Sequence, residues 1–95
     1  MNGLWAVRSG RFVGWRNGDI LYNAEGDNVG YFVNDVVYSL HGEYLGEIFR
    51  DNWVGKRIGV LRPRVGGRVG YVGVALVPYV DRVGMAIAGW EDPDF

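Results

Sequence analysis

The chain contains no cysteine and no threonine, one histidine, and only two serines in 95 residues. Without cysteine neither a disulfide framework nor a thiolate metal site can be built, and a small secreted domain usually relies on one or the other. A cytoplasmic location is the expectation. No run of eighteen apolar residues is present, and Met1-Asn2-Gly3-Leu4-Trp5 lacks the basic-then-apolar order of a signal peptide, so neither a membrane span nor a secretory leader is expected. A single histidine excludes a histidine metal cluster, and with Ser9 and Ser39 as the only aliphatic hydroxyls there is little material for a Ser-His-Asp arrangement. His41, beside Gly42, reads as a surface turn residue. No catalytic residue, metal ligand or cofactor is expected.

What the chain does have is glycine, aromatics and aliphatic residues. Hydrophobic residues make up 48% and aromatics 15%, enough apolar surface to offset the entropy of ordering one domain of this length. The six-residue segment Gly10-Arg11-Phe12-Val13-Gly14-Trp15 recurs sixteen residues later as Gly26-Asp27-Asn28-Val29-Gly30-Tyr31 and again as Gly42-Glu43-Tyr44-Leu45-Gly46-Glu47. A fourth copy, Gly66-Gly67-Arg68-Val69-Gly70-Tyr71, follows after a longer gap. Such periodicity sets the fold before any single residue does.

Each unit reads as a β-hairpin. Runs of β-branched and aromatic residues are punctuated at Ser9-Gly10, Asn17-Gly18, Glu25-Gly26, Asn34-Asp35, His41-Gly42 and Asp51-Asn52, all turn chemistry. The first glycine of each unit is a turn glycine. The second (Gly14, Gly30, Gly46, Gly70) lies inside a strand, where it costs stability unless a bulge, a bend or a close backbone approach requires it. A lone hairpin is marginal in water, so the units must share a core, and closing them on one another removes exposed edges. The expected fold is all-β: about four sixteen-residue hairpins (4–19, 20–35, 36–51, 52–75) closed about a pseudo-axis, flower or barrel-like, followed by two closing strands in 72–87. The closing segment spans 76–90, and the acidic, proline-broken tail 91–95 is expected to fray. Helical spacing of Val83, Ile87 and Trp90 offers a helix over 79–90 as the alternative, which Gly84 and Gly89 oppose. Val13, Val29, Leu45 and Val69 are the expected core, with Trp5, Tyr22, Tyr38 and Trp53 as a matching aromatic ring.

The Gly-x-x-(Val/Leu)-Gly units, each preceded by an (Ile/Val)-x-Tyr strand as in Ile20-Leu21-Tyr22 and Val36-Val37-Tyr38, resemble the small bacterial four-fold beta flower proteins over roughly residues 4–71. The resemblance implies four hairpin petals about a pseudo-axis and brings no established activity and no functional residues. A PRC-barrel, which also opens through a Gly-x-x-(Val/Ile)-Gly step, fits sixteen-residue repetition less well.

Charge is segregated along the chain although the net value is only −1. Arg50, Lys56, Arg57, Arg62, Arg64 and Arg68 face Asp51 alone over residues 50–68, while the flanking segments are acidic. The stretch 56–68 is the one part the repeat does not need. Arg57, Arg62, Arg64 and Arg68, with Trp53 and Tyr71 as a stacking platform, form the candidate site for a phosphate-bearing ligand such as a nucleotide. The bland reading of the same arginines is pairing with Glu43, Glu47 or Asp51. Duplex DNA is disfavoured by the acidic flanks. The glycines of 55–70 lack the Gly-Lys-Ser/Thr step of a phosphate loop. Asp19, Asp35 and Asp51 recur at sixteen-residue spacing and read as turn residues, a rim of cation ligands being the alternative. The expected function is a non-enzymatic binding or interaction module that self-associates, because the apolar stretch 72–88 exceeds what so small a core can hide; the competing expectation is a small anion binder.

Overall fold

The structure, a computed structural model, describes residues 1–95. Seven strands, β1 (Asn2–Ala6), β2 (Phe12–Asn17), β3 (Ile20–Asn23), β4 (Asn28–Val33), β5 (Val36–Ser39), β6 (Tyr44–Arg50) and β7 (Trp53–Arg57), follow one another as an antiparallel meander. With an odd number of alternating strands the first and last run the same way, so the barrel closes through a parallel pairing of β1 with β7, Trp5 opposite Trp53 and Ala6 opposite Val54. A two-residue strand, β8 (Trp90–Glu91), pairs antiparallel with the far end of β7. The molecule is a flattened disc of 35 × 33 × 17 Å.

The repeat encodes a β-bulge. Leu4 faces Gly14 while Trp5 faces Phe12, so Val13 is the extra residue on β2. Val29 is skipped in the same way between β3 and β4, and Leu45 between β5 and β6. The bulge turns these three side chains toward the axis and bends each petal sharply. The glycine that follows is required by crowding: at Gly14, φ is +154° and a Cβ would run into the carbonyl oxygen of Tyr22 on the next strand.

Side chains alternate across the sheet, and the two faces differ. The inner face is aliphatic, with Leu4, Ala6, Val13, Leu21, Val37 and Val54 forming the core together with Phe32. The aromatics lie on the outer face: Trp5, Phe12, Trp15 and Tyr22 form a second cluster against which Trp53 packs, while Tyr31 and Tyr38 pair across β4 and β5 at 5.9 Å. The expected aromatic ring is therefore divided and lies outside the barrel, because the strand neighbours of its members, Leu4 before Trp5, Leu21 before Tyr22, Val37 before Tyr38 and Val54 after Trp53, already occupy the inward positions.

Residues 58–89 form a strap that crosses the outside of the barrel. It meets the three petal turns in reverse chain order. Gly42 accepts the Val65 N–H at 2.9 Å, Gly26 the Val74 N–H at 2.8 Å and Gly10 the Arg82 N–H at 2.7 Å, all through their carbonyls. Asn28 Oδ1 accepts the Tyr71 N–H and Asp81 Oδ1 accepts the Phe12 N–H between those points. Tyr79 then stacks on Trp5 at 5.8 Å, and the Trp5 indole donates to the Val80 carbonyl.

Several expectations are corrected here. The segments 72–77 and 79–87 are neither strands nor helix, since their bonded N–H groups reach turns, while β1 and β8 take the edge of β7. The fourth motif copy, Gly66–Tyr71, belongs to the strap; Val69 is 92% exposed, and Phe95 packs against the core beside Val29 and Leu45 instead. The acidic tail is anchored and not frayed: Asp94 N–H donates to the Leu45 carbonyl, Pro93 is buried, and Asp92 Oδ1 accepts the N–H groups of Arg8 and Ser9.

Candidate functional site

In the first two petals an aromatic follows the in-strand glycine and faces another aromatic across the seam, Trp15 opposite Tyr22 and Tyr31 opposite Tyr38. At the third seam the pair is Glu47 opposite Gly55. Glu47 is the only buried charged residue, with a side chain 6% exposed. The room left by the missing aromatics is filled by cations. Arg57 Nε lies 2.7 Å from Glu47 Oε1, and Arg62 donates through Nε and Nη2 to Oε2 at 3.1 and 2.8 Å. Tyr44 donates its hydroxyl to the same oxygen at 2.9 Å and accepts the Arg57 N–H at 3.2 Å. Burial pushes the Tyr44 hydroxyl pKa up, and the Glu47 carboxylate adds in the same direction against the Arg57 N–H, so the phenol stays protonated and donating.

Of the six candidate residues, this network gathers Arg57 and Arg62. Arg64 lies beside them, paired with Glu43 at 3.1 Å, and lines a shallow cleft with Arg62, Lys56 and Tyr44. Arg68 goes elsewhere, bonding Asp19 at 2.6 Å and capping the Tyr31 ring at 4.0 Å. Trp53 begins β7 against the outer aromatic cluster, and Tyr71 is 64% exposed on the strap. Each of the four arginines thus has a carboxylate partner within the chain.

The aspartates at sixteen-residue spacing serve turns. The Asp19 and Asp35 carbonyls accept the Phe32 and Ile48 N–H groups, each at 2.8 Å, and Asp51 takes a positive φ of 51°. No three His, Asp or Glu side chains converge as a metal site would need. Ser9 and Ser39 hydroxyls accept backbone N–H groups of their own turns, and His41 stands exposed in the third turn.

Sequence reasoning assigned Val13, Val29 and Leu45 to the core and missed that they line a cavity. With Phe95 they form the apolar part of a space of about 360 Å³ whose rim carries Arg11, Glu25 and Asp94. The shared bulge was the available signal, since three equivalent inward residues at one end of a barrel must surround its axis.

Three successive hairpins, each with the same bulge and the same in-strand glycine, are the petals of one motif, and a model of the 4-fold beta flower proteins matches residues 7–76. The chain belongs to that family. The match takes in β2 to β7 and the first part of the strap, so this flower's β1, β8 and tail lie outside it. No curated protein and no solved structure matches the chain. No helix of this flower is long and apolar enough to cross a membrane.

Proposed function

We propose that this beta flower is a non-enzymatic, cytoplasmic binding module that associates with copies of itself through the strap. One observation carries the reading: Leu61, Val69, Val72, Val77, Val80 and Val83 are each 84% exposed or more on a single continuous segment. Fully burying a side chain of this size is worth about 1.5–3 kcal/mol, and contiguous exposed apolar surface is rare on a monomer. Two further features favour a second copy as the occupant. Residues 69–80 contain no charged side chain, so strap against strap brings no like-charge repulsion. The N–H groups of Ala75, Leu76 and Val77 also have no partner within the chain, which suits pairing of two straps about a twofold axis. The serine hydroxyls engaged at turns and the exposed His41 support the non-enzymatic part.

The alternative, a phosphate-ligand site on Arg57, Arg62, Arg64 and Arg68, has the weaker support, because a ligand would have to displace a carboxylate from each guanidinium.

Light scattering on size-separated protein tests the reading. A dimer or larger closed oligomer is expected at micromolar concentration, with the double variant Val72→Asp, Val77→Asp running as a folded monomer. A monodisperse wild-type monomer would overturn it.

A further inference from the structure

The cavity on the barrel axis stands apart from the strap and from the arginine network. Val13, Val29, Leu45 and Phe95 supply its apolar part, and barrel mouths are a recurrent place for small-ligand sites of this size. Its rim is charged in an uneven way. Arg11 is the one cation in the chain whose side chain makes no hydrogen bond, ion pair or contact with an aromatic ring, and it lines this cavity. Glu25, also on the rim, has an equally uncommitted carboxylate. The remaining acidic side chain on the lining, Asp94, is paired with Lys56 at 2.6 Å.

Both free charges stand on braced backbone. The Arg11 N–H donates to Ser9 Oγ at 3.1 Å and its carbonyl accepts the Ala6 N–H at 2.9 Å; the Glu25 N–H donates to Asn23 Oδ1 at 3.1 Å. A site with one free cation, one free anion and an apolar wall between turns is complementary to a ligand carrying both charges and an apolar body. A simple anion would meet Glu25, and a simple cation would meet Arg11.

We propose that the axial cavity binds a small zwitterion of the apolar α-amino acid class, with Arg11 taking the carboxylate through its guanidinium fork, Glu25 taking the ammonium, and the side chain resting on Val13, Val29, Leu45 and Phe95. The site goes beyond self-association, and neither depends on the other.

Titration of the full chain with L-leucine and L-phenylalanine, followed by amide and methyl shifts in NMR, tests it. Saturable shifts are expected at Arg11, Asn23 and Glu25 and at the methyls of Val13, Val29 and Leu45, at millimolar ligand or below. 3-Methylbutylamine, which lacks the carboxylate of leucine, and 4-methylpentanoate, which lacks the ammonium, should each bind about tenfold more weakly or worse. Arg11→Gln and Glu25→Gln, both at exposed positions, should each weaken leucine binding similarly while leaving the spectrum otherwise unchanged. The absence of saturable shifts with either amino acid, equal affinity for the single-charge analogues, or binding indifferent to Arg11→Gln would each overturn the proposal.

Discussion

The Gly26 carbonyl accepts the Val74 N–H at 2.8 Å, and the two backbones lie so close that a Cβ on Gly26 would run into the Val74 carbonyl oxygen. Gly26 also has a φ of +86°, so a side chain there meets both conformational strain and a collision. Gly26→Ala should therefore destabilise the protein by about 2–3 kcal/mol in urea denaturation, against about 1 kcal/mol for Gly18→Ala, where φ is +62° but open space surrounds the Cβ. Equal losses at the two glycines would mean that the strap contact contributes nothing.

Glu47 holds two arginines and a tyrosine in a nearly buried position. Glu47→Ala removes all four hydrogen-bond acceptor contacts at once and is expected to cost about 2–3 kcal/mol, less than a fully buried network because the Arg57 side chain is 51% exposed and that of Arg62 29%. Arg62→Ala should cost less, since Arg57 remains on the carboxylate. A double-mutant cycle should give a favourable coupling of about 1 kcal/mol between Glu47 and Arg62; strict additivity would show the pair to be energetically idle.

Acid should loosen the contact between the tail and the first turn. Burial pushes the Asp92 carboxyl up, but the N–H groups of Arg8 and Ser9, the Ser9 hydroxyl and the nearby Arg11 charge outweigh it and hold the pKa below the ordinary 3.8. A carboxyl whose folded-state pKa is depressed contributes stability that is present above the unfolded value and is lost as pH falls through the folded one. Asp92→Asn should thus lower stability at neutral pH and flatten its decline below pH 3.8, measured by urea midpoints across that range. Asp19, held below its ordinary value chiefly by its bond to Arg68, adds to the decline in the same direction.

Phe95 packs against the core and lines the axial cavity together with the bulge residues Val13, Val29 and Leu45. Phe95→Ala should cost about 1–2 kcal/mol, an intermediate figure suited to a half-buried ring. In the same variant the Asp94 amide, bonded to the Leu45 carbonyl at 3.0 Å, should exchange with solvent markedly faster. Unchanged stability and exchange would indicate a tail that does not seal the axis.

Trp5 reports on the strap. Its ring is 6% exposed, covered by Tyr79 at 5.8 Å and by the Arg82 guanidinium 3.5 Å from its centre. Tyr79→Ala should shift tryptophan emission to the red and uncover part of the Phe12 ring, which also touches Tyr79. An unaltered emission maximum would place the strap's hold on the barrel at its turn contacts alone.

Much of this architecture was legible in residue order. Turn glycines at Gly10, Gly26 and Gly42 and a glycine one step after Val13, Val29 and Leu45 specify hairpins with a bulge, because both features depend on backbone conformations that are settled within a few residues. The bland reading of the arginines as partners of Glu43, Glu47 or Asp51 was legible in part: Arg57, Arg62 and Arg64 pair with Glu47 and Glu43, but Arg68 pairs with Asp19 and Asp51 takes no arginine. The fate of the fourth unit was not. Gly66–Tyr71 carries the same local signal as the true petals, yet β1 takes one end of β7 and β8 the other, and Phe95 arrives from the tail to complete that side. Local sequence determined the petal; which segment covers the barrel, which seals its axis and which charges stay unpaired were decided by tertiary structure, because those outcomes depend on competition among distant segments for one closed surface.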